Sequence, residues 1–148
     1  MGHDDLYAKP GHLIRRCQQI AVSIFMDECR GLGLTPVQYA VLSVLKAKPD
    51  IDQATLAALA ALDRSTIGEL VARLAERGLI NRQPDPRDRR SKVLRATPRA
   101  LQLLERVEPR VQRAQERILA PLAPADRRIF MRLLGKLVQA ETARRPGR

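Results

Sequence analysis

The feature of this 148-residue sequence that most restricts its fold is a change of hydrophobic period just after Gly78. Before that point, apolar residues recur every three or four positions, as they do on amphipathic helices. After it, two short runs at 79–83 and 92–96 flank a charged connection that is rich in turn-forming residues. Such a pattern is typical of a two-stranded β-hairpin. The sequence therefore predicts a mainly α-helical chain that contains one hairpin.

Start and stop signals divide the chain before Gly78 into four helical segments. Thr35 followed by Pro36 combines an N-cap side chain with a proline at the first helical position, and Asp52 is a further candidate N-cap. Glycines, which end helices in the left-handed conformation, follow the first and the fourth segments. The predicted helices cover about 10–30, 36 to just before 49, 53–61, and 63 or 64 to 77.

Two long helices are predicted after the hairpin. Thr97 and Pro98 repeat the cap-and-proline signal, and apolar residues continue at helical spacing to about residue 120. Pro109 is expected to kink this helix. Two further prolines break the chain before a last helix with one apolar side, and residues 1–8 are expected to be loose. A chain of this length is expected to form a single domain.

The net charge is strongly positive, with 27 Lys and Arg against 16 Asp and Glu, which gives +11. Such an excess attracts polyanions, so nucleic acid is the first partner to consider. The densest basic cluster is 87–95, which has five basic residues and one acidic residue. No apolar run approaches the length of a membrane helix, and the first residues lack the pattern of a signal peptide, so a cytoplasmic protein without a membrane partner is expected.

The order of three short helices followed by a basic hairpin suits a DNA duplex. A major groove admits one helix whose first residues reach the base edges, and a narrow minor groove attracts arginine. The fourth helix carries polar and charged side chains on the face opposite its apolar one. The predicted DNA-binding residues are Arg64, Ser65, Thr66, Glu69 and Arg73 on this helix, and Arg87, Asp88, Arg89, Arg90 and Lys92 in the hairpin connection.

Several of these segments resemble the MarR (multiple antibiotic resistance regulator) family in combination. The resemblance is carried by Leu-Asp-Arg-Ser-Thr-Ile at 62–67, Leu-Ala-Glu-Arg-Gly-Leu-Ile at 74–80, Asp-Pro-Arg-Asp-Arg-Arg at 85–90 and Ala-Thr-Pro at 96–98. It implies a winged helix-turn-helix at 34–97 and a homodimer formed by helices in 10–31 and 98–145. It also implies a palindromic operator, a wing arginine at Arg90 that enters the minor groove, and an acid at Asp88 that orients it.

The same resemblance implies a small-molecule effector, often an aromatic acid, that changes DNA affinity. The first helix has several polar donors at one end, and the segment 9–20 is similar to the branch that responds to hydroxycinnamoyl-CoA thioesters. A repressor of aromatic acid catabolism, released by an aromatic acid or its acyl-CoA thioester, is the function implied. The predicted effector-binding residues are His12, Arg15, Arg16, Gln19 and Tyr39, and no cofactor or metal is expected.

Other interpretations stay open at this point. One branch of the family senses organic peroxides through a first-helix cysteine, which Cys17 could match, although Cys17 and Cys29 also fit the description of buried small apolar residues. Gly68 inside the fourth helix either permits close approach to DNA or is a tolerated weak point. An enzyme is not expected, since no catalytic or metal-binding pattern is present, and a purely structural helical scaffold would not explain the arginine-rich hairpin.

Overall fold

The computed structural model of the chain describes residues 4–144, apart from the side chain of Asp4. Within this range the chain forms seven helices and two strands, which confirms the predicted mainly α-helical fold with one hairpin. In chain order they are α1 (Asp4–Tyr7), α2 (Pro10–Glu28), α3 (Pro36–Ala47), α4 (Gln53–Leu59), α5 (Arg64–Glu76), β1 (Ile80–Pro84), β2 (Lys92–Ala96), α6 (Pro98–Leu119) and α7 (Pro124–Arg144).

The short helices begin where the capping residues predicted them to begin. At α3, Thr35 Oγ1 accepts the backbone N–H of Gln38 at 3.2 Å, and Gln38 Oε1 accepts the backbone N–H of Thr35 at 3.1 Å. At α4, Asp52 Oδ1 accepts a backbone N–H from the first turn at 2.7 Å. These bonds satisfy N–H groups that have no partner inside a helix, so they fix the residue at which each helix starts.

The chain divides into two compact units, whose boundaries fall inside α2 and α6. One unit, called here the terminal unit, contains the described residues of 1–24 and 113–148. The other, the central unit, covers 25–112. The hydrophobic core lies in the central unit, where side chains from α3, α4, α5 and the hairpin pack together. Its largest fully buried members are Leu42, Leu45, Leu56, Ile67, Leu74 and Leu94.

The hairpin of the central unit is antiparallel, and its register runs from Ile80 opposite Ala96 to Pro84 opposite Lys92. A third segment that was not predicted pairs with β2: Leu94 N–H donates to the carbonyl of Ile51 at 2.8 Å. The residue before Ile51, Asp50, has a φ of 61°. This left-handed conformation turns the chain from the end of α3 onto the strand, and aspartate tolerates it better than most residues.

The terminal unit contains the first part of α2, the end of α6 and α7. Arg127 organises the connection between the last two helices, because its Nε donates to the carbonyls of Leu119 at 3.1 Å and Leu122 at 2.8 Å. No residue of α7 is buried within the chain. The large apolar side chains that remain exposed on the two terminal helices include Leu13, Ile14 and Ile20 on α2, and Ile129, Met131, Leu133, Leu137 and Val138 on α7.

The ends of the chain differ in part from the prediction. Residues 4–7, expected to be loose, form one helical turn, α1. Lys9 lies 3.3 Å from the carboxylate of Asp5, and the rings of Tyr7 and His12 meet edge to face at 5.4 Å, which holds this turn near the start of α2. Residues 1–3 of the predicted loose segment, and residue 145 of the predicted dimerisation region, lie outside the described residues.

The helix α6 continues without a break through Pro109, and the kink expected there stays a prediction. Between residues 4 and 144, no helix has both the length and the apolar character needed to cross a membrane.

Candidate nucleic-acid interface

The helix α5 has one buried face and one exposed face. Ile67, Val71 and Leu74 are buried in the core of the central unit, at the three- and four-residue spacing of a helix. The five side chains predicted to contact DNA, from Arg64, Ser65, Thr66, Glu69 and Arg73, are all exposed. Burial of the apolar face therefore holds α5 in a fixed orientation while its polar face remains accessible to a partner.

The N-terminus of α5 is fixed by a charged cap. Asp63 Oδ1 accepts the backbone N–H of Thr66 at 2.7 Å. The hydrogen bonds from Thr66 hold the pKa of the Asp63 carboxyl below its ordinary value. Because the pKa is lowered in the folded state, the cap contributes fully above the ordinary pKa of aspartate and is lost as the pH falls through the lowered value. At neutral pH the Asp63 carboxylate is therefore charged and its cap contributes fully.

The connection between the two strands is held in shape by its two aspartates. Asp85 Oδ1 accepts the backbone N–H of Arg87 at 2.9 Å, and Asp88 Oδ1 accepts the backbone N–H of Arg90 at 3.0 Å. Asp85 N–H also donates to the carbonyl of Ser91 at 2.9 Å, which closes the loop. Aspartate commonly stabilises turns by accepting an N–H two residues further along. The Asp-Pro-Arg-Asp-Arg-Arg segment thus encodes a defined loop.

The basic side chains of this loop are available to a partner. Arg87, Arg89, Arg90 and Lys92 are all exposed, and so is Asp88. The resemblance assigned Asp88 to the orientation of Arg90, and in the structure its carboxylate contacts the Arg90 backbone. Asp88 therefore holds the backbone of Arg90 in place and does not contact its guanidinium group. Exposed guanidinium groups on a fixed loop suit the negative potential of a narrow minor groove.

Arg95, the fifth basic residue of the predicted cluster, has a structural partner that the sequence did not reveal. Its Nε donates to Asp50 Oδ1 at 2.9 Å, and its Nη2 forms a second bond to Asp50 Oδ2. The hydrogen bonds from Arg95 lower the pKa of the Asp50 carboxyl. This ion pair joins β2 to the turn between α3 and α4, so Arg95 adds less to the free positive charge of the hairpin than its neighbours.

Gly68 lies inside α5, and a larger residue fits at this position. A Cβ added to Gly68 would meet Gln53 Nε2 at 3.6 Å, which is an ordinary contact distance. We expect Gly68→Ala to raise the free energy of unfolding by about 1 kcal/mol, since alanine is the better helix former. Urea denaturation measures this change.

Gly33→Ala is the matched control, because Gly33 has a φ of +70° and a Cβ there would lie 2.9 Å from Arg77 Nη2. That variant is expected to lose stability. If the Gly68→Ala protein is also less stable than the wild type, the conclusion that a larger residue fits at this position is wrong. A stable Gly68→Ala protein with weaker DNA binding would favour close approach of the helix to DNA over a tolerated weak point.

The predicted effector residues divide between the two units. In the terminal unit, Arg16 Nη1 donates to Gln19 Oε1 at 2.8 Å, and Arg15 Nη2 lies 3.4 Å from His12 Nδ1. The structure therefore brings these four polar side chains of α2 together in two neighbouring pairs. His12 is half-buried, and the other three are exposed. Guanidinium groups in such a cluster are suited to bind a carboxylate or a phosphate.

Tyr39, the fifth predicted effector residue, belongs to the central unit. Its hydroxyl donates to Glu108 Oε2 at 2.7 Å, and its ring packs against Phe25 with centroids 5.9 Å apart. Burial and the hydrogen bond to Glu108 raise the pKa of the Tyr39 hydroxyl. Tyr39 therefore remains neutral and donates to an acid, an arrangement that the sequence alone did not indicate.

The two cysteines differ in their surroundings. Cys29 is buried, as expected for a small apolar residue, but the expectation is wrong for Cys17, which is exposed. Cys17 lies on the part of α2 whose apolar side chains, such as Ile14 and Ile20, are themselves exposed within the chain. Neither cysteine forms a disulfide within residues 4–144.

Comparison with known proteins places this chain among transcriptional regulators. The model of the MarR family matches residues 32–91. A transcriptional regulatory protein for the hcr operon of Thauera aromatica is 34% identical over 145 residues, which are 95% of this chain and 85% of that protein. The repressor NicR of Pseudomonas putida is 30% identical over 137 residues, which are 93% of this chain and 87% of NicR.

Solved structures agree with this assignment. The regulator PcaV of Streptomyces coelicolor, in complex with its natural ligand, has a TM-score of 0.84 and 39% identity, with 95% of this chain and 99% of PcaV covered. BpsR of Bordetella bronchiseptica, whose DNA binding is regulated by 6-hydroxynicotinic acid, has a TM-score of 0.84, 30% identity and coverage of 88% and 94%. The repressor CouR, bound to a 23-mer DNA duplex, has a TM-score of 0.85, 27% identity and coverage of 93% and 98%. The chain therefore belongs to the MarR family and is a DNA-binding transcriptional repressor.

Proposed function

We propose that the protein is a ligand-responsive repressor that binds a palindromic operator as a homodimer in the cytoplasm. The observation that carries this proposal is the pairing, within one compact unit, of an accessible polar face on α5 with a fixed arginine-bearing loop. The N-terminal residues Arg64, Ser65 and Thr66 would contact base edges in the major groove, and Arg90 would enter the adjacent minor groove. CouR, a similar protein, has been solved on duplex DNA.

The exposed apolar side chains of the terminal unit support a homodimer. Leu133, Leu137 and Val138 on α7 are 48%, 62% and 66% exposed, which is costly in water for side chains of this kind. We propose that helices in 10–31 and 98–145 cover these faces between two copies, and that 34–97 carries the winged helix-turn-helix. Two-fold symmetry would then place two recognition helices about one turn of DNA apart, roughly 10 base pairs.

We further propose that an aromatic acid, or its acyl-CoA thioester, releases the protein from DNA. The donors His12, Arg15, Arg16 and Gln19, which lie together on α2, would hold the anionic group of this ligand. Two similar proteins support a ligand of this kind, since BpsR responds to 6-hydroxynicotinic acid and PcaV has been solved with its natural ligand. Regulation of aromatic acid catabolism follows from this chemistry. The peroxide-sensing alternative at Cys17 gains no such support.

The DNA part of the proposal is tested by selecting bound duplexes from a random-sequence pool. We expect the enriched sites to be inverted repeats with half-site centres roughly 10 base pairs apart, and affinity to fall steeply as salt rises through counterion release. Enriched sites without two-fold symmetry, or binding that does not depend on salt, would contradict it.

The selected duplex then serves to test the effector. Aromatic acids and their coenzyme A thioesters are titrated against the complex while fluorescence anisotropy reports release. We expect at least one of them to release the wild-type protein, and the Arg15→Gln/Arg16→Gln variant to require a higher concentration. If none releases the protein, the effector class is wrong although the repressor function stands. Cys17→Ser should release normally, and a peroxide response that disappears in this variant would restore the redox alternative.

A further inference from the structure

The central unit contains a cavity that the proposed DNA and effector contacts do not use. It has a volume of about 540 Å³, which is within the range of small-molecule sites. Its walls combine three leucines, Leu32, Leu79 and Leu103, with three arginines. The arginines come from two elements, the end of α5 and the first turns of α6, and they are Arg77, Arg99 and Arg106.

The arginines of this cavity have no hydrogen-bond or ion-pair partner among the side chains that the structure describes. Between residues 4 and 144, none of the three guanidinium groups forms a hydrogen bond or an ion pair with another side chain. Glu76 is the one acidic residue among those that line the cavity, so three positive charges face one negative charge. An array of unpaired guanidinium groups beside an apolar wall is suited to bind an anionic group attached to an apolar body.

Two glycines allow the arginines to lie close to the backbone. Arg77 Nη2 is 2.9 Å from the position that a Cβ on Gly33 would occupy, and Arg99 Nη1 is 3.8 Å from the corresponding position on Gly78. Both glycines have positive φ, +70° and +72°. The guanidinium of Arg77 therefore lies against the turn between α2 and α3, in space that any side chain at residue 33 would fill.

None of the residues proposed to bind the effector is among those that line the cavity. Arg99 and Arg106 are seven residues apart, or about two turns, so they share one side of α6. Glu108, which binds Tyr39, is two residues further along and lies on nearly the opposite side of the same helix. His12, Arg15 and Arg16 belong to the other unit.

We propose that this cavity is a second small-molecule site, which binds an organic carboxylate with an apolar body. The carboxylate would lie between Arg99 and Arg106, with Gln102 one turn from each as a further donor, and the apolar body would rest on Leu32 and Leu103, the two partly exposed leucines of the lining. Since Arg77 is the C-cap of α5, an occupant would connect the end of the recognition helix to the start of α6. The inference extends the proposed function by adding a ligand site to the DNA-binding unit itself.

Isothermal titration calorimetry of the full chain at low salt tests the site with three probes, phthalate, benzoate and inorganic phosphate. We expect phthalate and benzoate to bind the wild-type protein more tightly than phosphate does, since phosphate cannot use the leucine wall. Arg99→Gln/Arg106→Gln should lower the affinity for phthalate at least tenfold. The matched control Arg128→Gln on α7 should retain this binding. Each titration is repeated in the Arg15→Gln/Arg16→Gln background, which removes the proposed effector contacts, so that binding lost through Arg99→Gln/Arg106→Gln belongs to this cavity.

Several results would overturn the inference. One is that no probe binds the wild-type protein, and another is that the Arg99→Gln/Arg106→Gln variant binds phthalate as tightly as the wild type does. The third is that phosphate binds as tightly as the organic acids, which would mean an adventitious ion only. Thermal unfolding of each variant checks that it is folded. Operator affinity is measured on the same proteins without probes. If the probes do not bind but the operator does, the second site is wrong and the proposed function stands. If the probes bind but the operator does not, the site stands and the proposed function is wrong.

Discussion

Replacement of Leu133 and Leu137 together by arginine is expected to convert the dimer to a monomer and to weaken operator binding by roughly 10²–10⁴-fold. Both side chains are exposed on α7, one turn apart, within the apolar stripe that a second copy would cover. Two buried arginines without partners would oppose association. The loss of DNA affinity follows because the second half-site contact would no longer be linked to the first. Arginine adds positive charge, so the loss could not be caused by a weaker attraction to phosphate.

Analytical ultracentrifugation measures the oligomeric state, and anisotropy with the selected duplex measures affinity. Gln139→Arg/Ala143→Arg is the matched control, because both residues are exposed on another side of α7 at the same spacing of four. This control should remain dimeric and bind the operator. A Leu133→Arg/Leu137→Arg protein that still sediments as a dimer would place the interface elsewhere.

The second large effect is expected from Arg90→Ala, which should weaken operator binding roughly tenfold to a hundredfold. This corresponds to about 1–3 kcal/mol, the range for a single arginine contact in a DNA groove. The side chain is exposed at the end of a loop that Asp85 and Asp88 hold in place through backbone bonds. Its removal should leave the loop and the stability of the protein unchanged, because the backbone N–H of residue 90 is retained.

Arg128→Ala controls for the loss of one positive charge outside the hairpin, since Arg128 is exposed on α7. It should change operator affinity only slightly. Asp88→Ala provides a complementary test, since it removes the carboxylate that positions the Arg90 backbone and should weaken binding although it makes the loop more positive. An Arg90→Ala protein with the affinity of the wild type would refute the minor-groove role of this residue.

The helices and the hairpin could be predicted because their signals are local. The cap at Thr35 acts on Gln38, and the cap at Asp52 acts on Thr55, three residues away in each case. A cap of this kind needs only residues within one helical turn, whatever the rest of the chain does. The start of each helix can therefore be predicted from the residue types and their spacing.

Contacts between distant parts of the chain could not be predicted in this way. Asp50 and Arg95 are 45 residues apart in sequence, and Tyr39 and Glu108 are 69 apart. Nothing near Arg95 distinguishes it from the free arginines of the hairpin, and only the register of β2 beside Ile51 brings it to Asp50. The exposure of Cys17 was missed for a related reason. Helical periodicity shows that a face is apolar, but it does not show whether the same chain covers it.

The loop of the hairpin has a consequence for the thermodynamics of DNA recognition. Because the bonds accepted by Asp85 and Asp88 are intramolecular, the loop backbone loses its conformational freedom when the chain folds, before any duplex is present. Ordering a mobile basic segment at the moment of binding would instead subtract from the affinity of every complex formed. Preorganisation of the hairpin thus leaves mainly the arginine side chains to be immobilised on the duplex.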